Sequence, residues 1–435
     1  MKIVSSFLTT IKILLCLRIW IVEGKLVKAN EDFDKGCDSY ERFLLFDAGS
    51  MGTILYYYRM KKDVIGEWLI DGSLIIGRST ALGMHTEASF AIMEREISDL
   101  LKRAKEKINP NCLSKTRVYL RATAGLRLLD HILAEKILEV CRKKFRQSPL
   151  KYVSKASALV FTQQEQGLWL WVTVNYVLGK FIACGPNNKV QVLSMGNGPV
   201  QVATPKENII YREEIVKNII RINLECPYEI YIASYGTVSV QTNRNKFFLN
   251  HDMKSDCMAI GVVDKYQYGD FEVDFVGTGS GSERTYEKCK KEAETYIKDE
   301  EIVQLWRLEK VPDKLYLGTE FYYVIKTLNA VLNKCTSFKE EDCSPDEFDL
   351  SMEYVVKMAK HFCKNMVSDP ETIKNIISSQ YLCIDLVWIE AILSFGYGLT
   401  NPDIRFKLVS RVKGYRPSWT VGFIYGLVVN SIQEE

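Results

Sequence analysis

The chain has 435 residues, with 57 lysines and arginines against 54 aspartates and glutamates, for a formal net charge of +3. That length allows two or three domains with real cores, and a near-balanced, scattered charge argues against a nucleic-acid binder. At 47% hydrophobic and 26% charged residues the composition is that of a globular protein, not a disordered or fibrous one.

Lys2 precedes an apolar stretch, Ile3 to Val22, that Lys12 and Arg18 interrupt. It reads as a secretory signal peptide within residues 1–24, with an uncleaved signal anchor as the alternative; the chain is expected at a membrane only in the second case. Residues 25–41 are polar and read as a linker. The end, Val421–Ile432, is too short to span a bilayer and holds Gly422 and Gly426. Twelve cysteines, of which Cys16 lies in the leader, make disulfide candidates in an exported chain and leave at least one unpaired. With four histidines and no Cys-x-x-Cys pair, zinc is not expected; a metal here would be a hard cation on oxygen ligands. No Asn-x-Ser/Thr sequon occurs.

Strand patterns run over 42–47, 52–58 and 64–70. The first ends in Asp47-Ala48-Gly49-Ser50-Met51-Gly52-Thr53, a small-residue loop that can bring bare N–H groups close to a phosphate. Glu87 to Ile108 has a helical period, with Ile92, Ile97, Leu100, Leu101 and Ala104 on one face, and Pro110 stops it. A short strand, Val118–Leu120, leads into Arg121-Ala122-Thr123-Ala124-Gly125, and a helix follows over Leu128–Phe145. Gly167–Phe181 is apolar nearly all round, as in a deeply buried helix.

A second strand, Val190–Leu193, runs into a second small-residue loop, Ser194-Met195-Gly196-Asn197-Gly198. Two such loops, one lobe's length apart, point to a nucleotide clamped by two similar lobes. Strands are then expected at Val200–Ala203, Ile230–Ile232, Val238–Gln241 and Phe271–Val276. Gly277-Thr278-Gly279-Ser280-Gly281-Ser282 reads as a flexible turn, because it lacks the lysine of a phosphate cradle. Helices are expected at Glu320–Leu332, Leu350–Asn365, Ile373–Ser379 and Leu386–Phe395, and the class is α/β.

The blocks Asp47–Ser50, Tyr119–Leu129 and Trp171–Phe181, with the tail motifs Phe395–Gly398 and Ser418–Phe423, are in the order and spacing of the apyrases, which the chain resembles over roughly residues 40–430. The resemblance implies a two-lobed actin/Hsp70-like (ribonuclease H-like) fold with a nucleotide cleft between the lobes. Residues 42–153 would form lobe I and 154–404 lobe II, with 405–435 returning to lobe I. It implies release of the terminal phosphate of nucleoside tri- and diphosphates, with Ca²⁺ or Mg²⁺ on the phosphates and a glutamate activating water. It places the protein in the secretory lumen or outside the cell.

Residue by residue, the resemblance implies that Asp47 supports the metal and that Trp419 lies near it through water. Gly49, Ser50, Gly52, Thr53, Thr123, Ala124, Gly125, Gly196, Asn197 and Gly198 would line the phosphates. Gln201 falls near the metal and phosphates, while Trp388 and Tyr322, from Phe321-Tyr322-Tyr323, would stack on the base. It also implies the disulfide Cys363–Cys383; Cys257–Cys289 is a further candidate pair, and Cys335–Cys343 would close a short loop.

Three positions of the expected reaction centre depart from the family pattern. Gln166 stands where the family has its glutamate base, Ser194 where it has the second metal-supporting aspartate, and Pro199 where it has a water-placing serine. Met51 replaces a small polar residue. The expectation is a retained nucleotide site with impaired or lost hydrolysis. The alternatives are an active enzyme that uses the neighbouring Glu165 as base, and a non-catalytic partner-binding protein.

Overall fold

β1 (Glu41–Ala48) is the strand on which the first of two units is built. The computed structural model describes residues 37–429, apart from 65, 183, 187, 197–198, 210–212, 225, 237, 269–270, 301, 303–314, 336–344, 369–375 and 377. The expected signal or anchor, and residues 25–36 of the expected linker, therefore lie outside the described residues. β1 pairs antiparallel with β2 (Thr53–Lys62), which pairs antiparallel with β3 (Trp68–Ser79). On its other side β1 pairs parallel with β4 (Thr116–Ala122), and β4 pairs parallel with β5 (Ala158–Val160). The sheet order is β3-β2-β1-β4-β5.

Alternate residues of β1, namely Leu44, Phe46 and Ala48, are fully buried against two helices. α1 (Phe90–Lys107) contributes Met93, Ile97, Leu100, Leu101 and Ala104, a stripe at helical spacing. Here Met93 takes the place expected of Ile92, which is 52% exposed. α2 (His131–Arg146) starts where Asp130 accepts from the Ile132 and Leu133 N–H groups, and it packs Phe145 on Phe46 at 5.3 Å between ring centres. Burying a ring of that size contributes roughly 1.5–3 kcal/mol.

The second unit comprises Thr162–Ser410 and Pro417–Phe423. α3 (Gln163–Val177) is followed by β6 (Gln191–Met195), β7 (Val200–Pro205), β8 (Ile219–Asn223) and β9 (Pro227–Tyr235). Next come α4 (Val240–Leu249), β10 (Lys254–Ala259), β11 (Val263–Tyr268), β12 (Phe271–Gly279) and α5 (Glu283–Lys298). Then follow β13 (Leu315–Thr319), α6 (Glu320–Leu332), β14 (Glu347–Ser351) and α7 (Met352–Lys364). α8 (Leu382–Ala391), β15 (Arg405–Val409) and α9 (Trp419–Val428) end the described chain.

Its main sheet has the order β14-β15-β13-β6-β7-β9-β8. The central run β9-β7-β6-β13-β15 repeats the first unit's order, with β6 antiparallel to β7 and parallel to β13. β7 is antiparallel to β9 and β13 parallel to β15, so each pairing has the direction of its counterpart. The chain is thus two α/β units on one strand plan.

Several expectations are corrected. Val238–Gln241 is not a strand, because Ser239 accepts from the Thr242 N–H and starts α4 instead. Residues 405–409 form β15 of the second unit's sheet, while Arg411–Arg416 and the chain from Ile424 group with the first unit as expected, and the first unit runs on to Phe161. Gly277 and Gly279 are not in a flexible turn. They close β12 so tightly on β10 that an added methyl would lie 2.0 Å from Ala259 O and 2.1 Å from Asp256 O. The helix expected at Ile373–Ser379 falls mostly outside the described residues.

Four disulfides are described: Cys37–Cys112, Cys184–Cys226, Cys257–Cys289 and Cys363–Cys383. Cys335 is also bonded, while Cys343 lies outside the described residues. Cys141 is a free, buried thiol whose pKa burial pushes up to about 12. Among the described residues no helix is long and apolar enough to cross a membrane.

Candidate functional site

The first small-residue loop joins β1 to β2 as a hairpin, closed by the Gly49 N–H on Gly52 O at 2.9 Å. Ser50 is exposed, Met51 is 84% exposed, and Asp47 is half-buried at the strand's end. Because β1 and β4 are parallel neighbours, the second motif arrives beside the loop. The Thr123 N–H donates to Ala48 O at 2.9 Å, and Ala124–Arg127 then makes a single helical turn. A methyl added at Gly125 would sit 3.1 Å from Gly49 O and 3.3 Å from the Ser50 Cα. Glycine there lets the two backbones touch, so Asp47, Gly49, Ser50, Gly52, Thr53, Thr123, Ala124 and Gly125 are gathered at one end of the first sheet.

The second loop joins β6 to β7 in the same way. Its closing bond runs from the Gly196 N–H to Pro199 O, at 2.9 Å. Asp47 pairs across the hairpin with Ile54, and Ser194 with Gln201, so the two residues hold equivalent positions. Asn197 and Gly198 lie outside the described residues. Ser194 Oγ lies 3.0 Å from Thr319 Oγ1, and that hydroxyl donates to Met195 O. Thr319 has φ +57°, a left-handed backbone that costs a β-branched residue free energy. Its neighbour Glu320 has its carboxyl pushed above the usual range by burial, an effect that Arg244 opposes.

α3 carries the expected base position. Thr162 caps the helix, its hydroxyl accepting from the Glu165 N–H at 3.1 Å. The Glu165 carboxylate accepts in return from the Thr162 N–H at 2.8 Å and its hydroxyl at 2.9 Å. Glu165 is thus engaged in a capping box. Gln166 follows, half-buried. Gln201 from β7 donates to Gln163 O at 2.9 Å, and Gly167 leaves only 3.1 Å between an added methyl and Ile232, which seats α3 on the sheet. Buried Asn175 bonds both Val190 backbone groups, at 2.8 and 3.2 Å, and the Trp171 Nε1 donates to Val190 O. These contacts fix the strand that leads to Ser194.

The tail motif closes on the same helix. The Gly422 N–H donates to Thr173 Oγ1 at 2.7 Å, and a methyl at Gly422 would lie 2.1 Å from Trp169 O. Phe423 packs edge-on to Trp169 and lies 6.2 Å from Trp419 between ring centres. In the second unit, then, Gln166, Gln201 and Trp419 are held by α3, β7 and α9.

The stacking aromatics are corrected. Trp388 is fully buried, on a helix whose ten residues are all buried, and its Nε1 faces Val238 O at 3.4 Å. Tyr322 is 3% exposed and its hydroxyl donates to Pro345 O at 2.7 Å. Both rings serve the core, because a ring with no open face cannot stack on a base; Tyr323, 48% exposed, is the accessible ring of its trio. Sequence reasoning did not single out Thr319, whose strain and bond to Ser194 appear only in three dimensions.

Among the described residues no three His, Cys, Asp or Glu side chains converge on a metal position. The donors gathered at the first loop, the Asp47 carboxylate with the Ser50 and Thr123 hydroxyls, are hard oxygens. They fit a divalent cation that brings water and phosphate ligands of its own.

The sequence profile of the GDA1/CD39 (nucleoside phosphatase) family matches residues 36–435. The chain is 24% identical over 399 residues to the nucleoside diphosphate phosphatase ENTPD5 of Homo sapiens, covering 88% of this chain and 87% of that protein. It is 25% identical over 391 residues to a nucleoside-triphosphatase of Pisum sativum, covering 82% and 80%. A crystal structure of nucleoside triphosphate hydrolases from Neospora caninum superposes with a TM-score of 0.61 at 12% identity, over 90% of this chain and 93% of that one. With the repeated strand plan, this bears out the actin/Hsp70-like α/β class. The chain belongs to the GDA1/CD39 family of nucleoside phosphatases.

Proposed function

We propose that the protein binds nucleoside di- and triphosphates through its first loop and hydrolyses them slowly or not at all. The carrying observation is the equivalence of Asp47 and Ser194, one an anionic oxygen and the other a hydroxyl tied to Thr319. The names of the two relatives, a diphosphate phosphatase and a triphosphatase, support the ligand class.

In-line phosphoryl transfer needs the phosphates held, their charge neutralised and a water deprotonated. The first loop supplies the holding elements: N–H groups at Ser50, Met51 and Gly52 that are not given to the backbone of the described residues, and the Ser50 hydroxyl. A divalent cation bound with the nucleotide would neutralise phosphate charge, and Asp47 is the carboxylate that would hold it. The Gln166 amide cannot take a proton from water, and losing a general base costs about 10²–10⁴ in rate. Pro199 has neither hydroxyl nor N–H to aim that water. Glu165 is occupied in the α3 cap, which weighs against its serving instead.

The disulfides favour an oxidising compartment, so we place the protein in the secretory lumen or outside the cell. It would be attached to a membrane only if the N-terminal segment stays on. Two measurements test the reading: calorimetric titration with a non-hydrolysable ADP analogue and Mg²⁺ or Ca²⁺, and phosphate release from ADP and ATP. Binding with turnover far below about 1 s⁻¹ is expected. Ordinary turnover would refute the loss of catalysis, and no binding at millimolar ligand leaves the partner-binding alternative.

A further inference from the structure

Leu44, Phe46 and Ala48 of β1 turn to α1 and α2, so Asp47, between Phe46 and Ala48, turns to the other face of the first sheet. Directly opposite residues on neighbouring strands share a face. Asp47 is the register partner of Ile54 on β2, and Ile54 that of Arg78 on β3. Gly77 fixes the same alternation on β3: a methyl added there would lie 2.9 Å from Leu100 Cδ2 of α1, and Arg78 therefore leaves from the opposite face. Two strand spacings put the Arg78 Cα roughly 10 Å from that of Asp47. At the first loop the approach is closer still, since a methyl at Gly52 would lie 3.1 Å from the carbonyl oxygen of Ser79, the residue after Arg78.

Arg416 comes to the same place from the tail. Val412 and Tyr415 exchange backbone hydrogen bonds at 2.7 and 3.0 Å, closing a turn that puts Arg416 with the first unit, to which Asp47, Tyr56 and Arg78 also belong. Tyr56 lies on β2 between the core residues Leu55 and Tyr57, and so faces away from the helices. Burial and the Asp47 carboxylate raise its pKa, and Arg416 and Arg78 oppose the rise. The phenol therefore marks where the two guanidinium groups and the carboxylate meet. Both arginines are exposed, and neither has a hydrogen bond, ion pair or ring partner among the described residues. One solvated arginine needs no explanation. Two that converge on a single carboxylate leave positive charge in surplus, beside a loop whose Ser50, Met51 and Gly52 N–H groups are not given to the described backbone. Guanidinium forks match phosphate oxygens in both shape and charge.

We infer that Arg78 and Arg416 form a guanidinium clamp on the phosphate chain, so that the first unit binds its ligand as a free polyanion, without a divalent cation. The clamp deepens the nucleotide reading above, on which it rests: binding no longer needs the cation that hydrolysis needs. The test is calorimetric titration of the full chain with a non-hydrolysable ADP analogue and, separately, with inorganic pyrophosphate, each in Mg²⁺ and in EDTA. For the wild type the two media should give dissociation constants within about threefold of each other. Arg78→Ala and Arg416→Ala should each weaken both ligands about tenfold in EDTA, the loss of a charge-assisted hydrogen bond. Arg78→Lys, which keeps the charge and loses the fork, should fall between. Unfolding midpoints should stay at the wild-type value, because both side chains are exposed and unpartnered. Binding of the wild type that needs Mg²⁺, or alanine variants that bind as the wild type does, overturns the clamp. Pyrophosphate binding that depends on both arginines, with no binding of the ADP analogue, sinks the nucleotide reading and leaves the clamp standing. Binding of neither ligand overturns both.

Discussion

Asp47 and Ser194 stand at the same point of two sheets laid out on one plan, each at the end of a central strand that turns back through a small hairpin. One keeps a carboxylate and the other shares a hydroxyl contact with Thr319. Activity should therefore respond to changes on the second hairpin and on α3 together.

Gln166→Glu, Ser194→Asp and Pro199→Ser in combination are expected to raise phosphate release from ADP or ATP by about 10²–10⁴, with smaller gains singly because the three groups act as a unit. Chelating the divalent cation should abolish the gain. A triple variant no faster than the wild type would count against the account of lost catalysis.

Glu165→Ala removes one half of the α3 capping box and should lower stability by about 1 kcal/mol in urea unfolding. Residual phosphate release should stay unchanged. Its disappearance would make Glu165 the working base.

Gly422→Ala forces a methyl onto Trp169 O, 2.1 Å away in the present packing. A destabilisation of about 1–3 kcal/mol is expected, visible as a lowered unfolding midpoint. An unchanged midpoint would mean that α9 can shift away from α3 at no cost.

Cys363→Ser opens a disulfide in the α7–α8 layer and should cost about 2–5 kcal/mol. Refolding yields under oxidising and reducing conditions should differ for the wild type in the same sense. Equal yields would remove the disulfides from the stability of the second unit.

Burial, with a smaller push from the Lys180 charge, brings the Lys189 ammonium down to about 8. The rings of Phe181 and Tyr228, 5.5 and 5.0 Å away, favour the charged form, but desolvation outweighs them. Above about pH 8 the folded chain sheds a proton that the unfolded chain keeps until about 10.4. Stability should thus rise with pH across that window relative to Lys189→Met, whose advantage is greatest near neutrality. A pH-independent difference between the two would contradict the burial argument.

Much of this was legible in the sequence. The β1 loop, the Thr123–Gly125 turn and α1, α2 and α7 follow from periodicity and punctuation. What escaped was set by tertiary contact. α5 looks charged throughout, and its buried face of Tyr286, Cys289, Ala293 and Ile297 stands out only once the neighbouring helices are known. Trp388 could equally be core or ligand platform, since an aromatic on a mostly apolar helix carries no sign of which. Ser239, a good cap, outweighed the strand character of Val238 and Val240. At the site, the departures expected at Gln166, Ser194 and Pro199 came from the family resemblance, whereas the engagement of Glu165 and the strain at Thr319 depend on the fold.

The two hairpins close on matching bonds, from Gly49 to Gly52 and from Gly196 to Pro199, between strands of matching register. Asp47–Ile54 and Ser194–Gln201 are thus stretches of equal length held at the same ladder positions, so a difference in chemistry between them is a difference of side chains carried on one backbone frame.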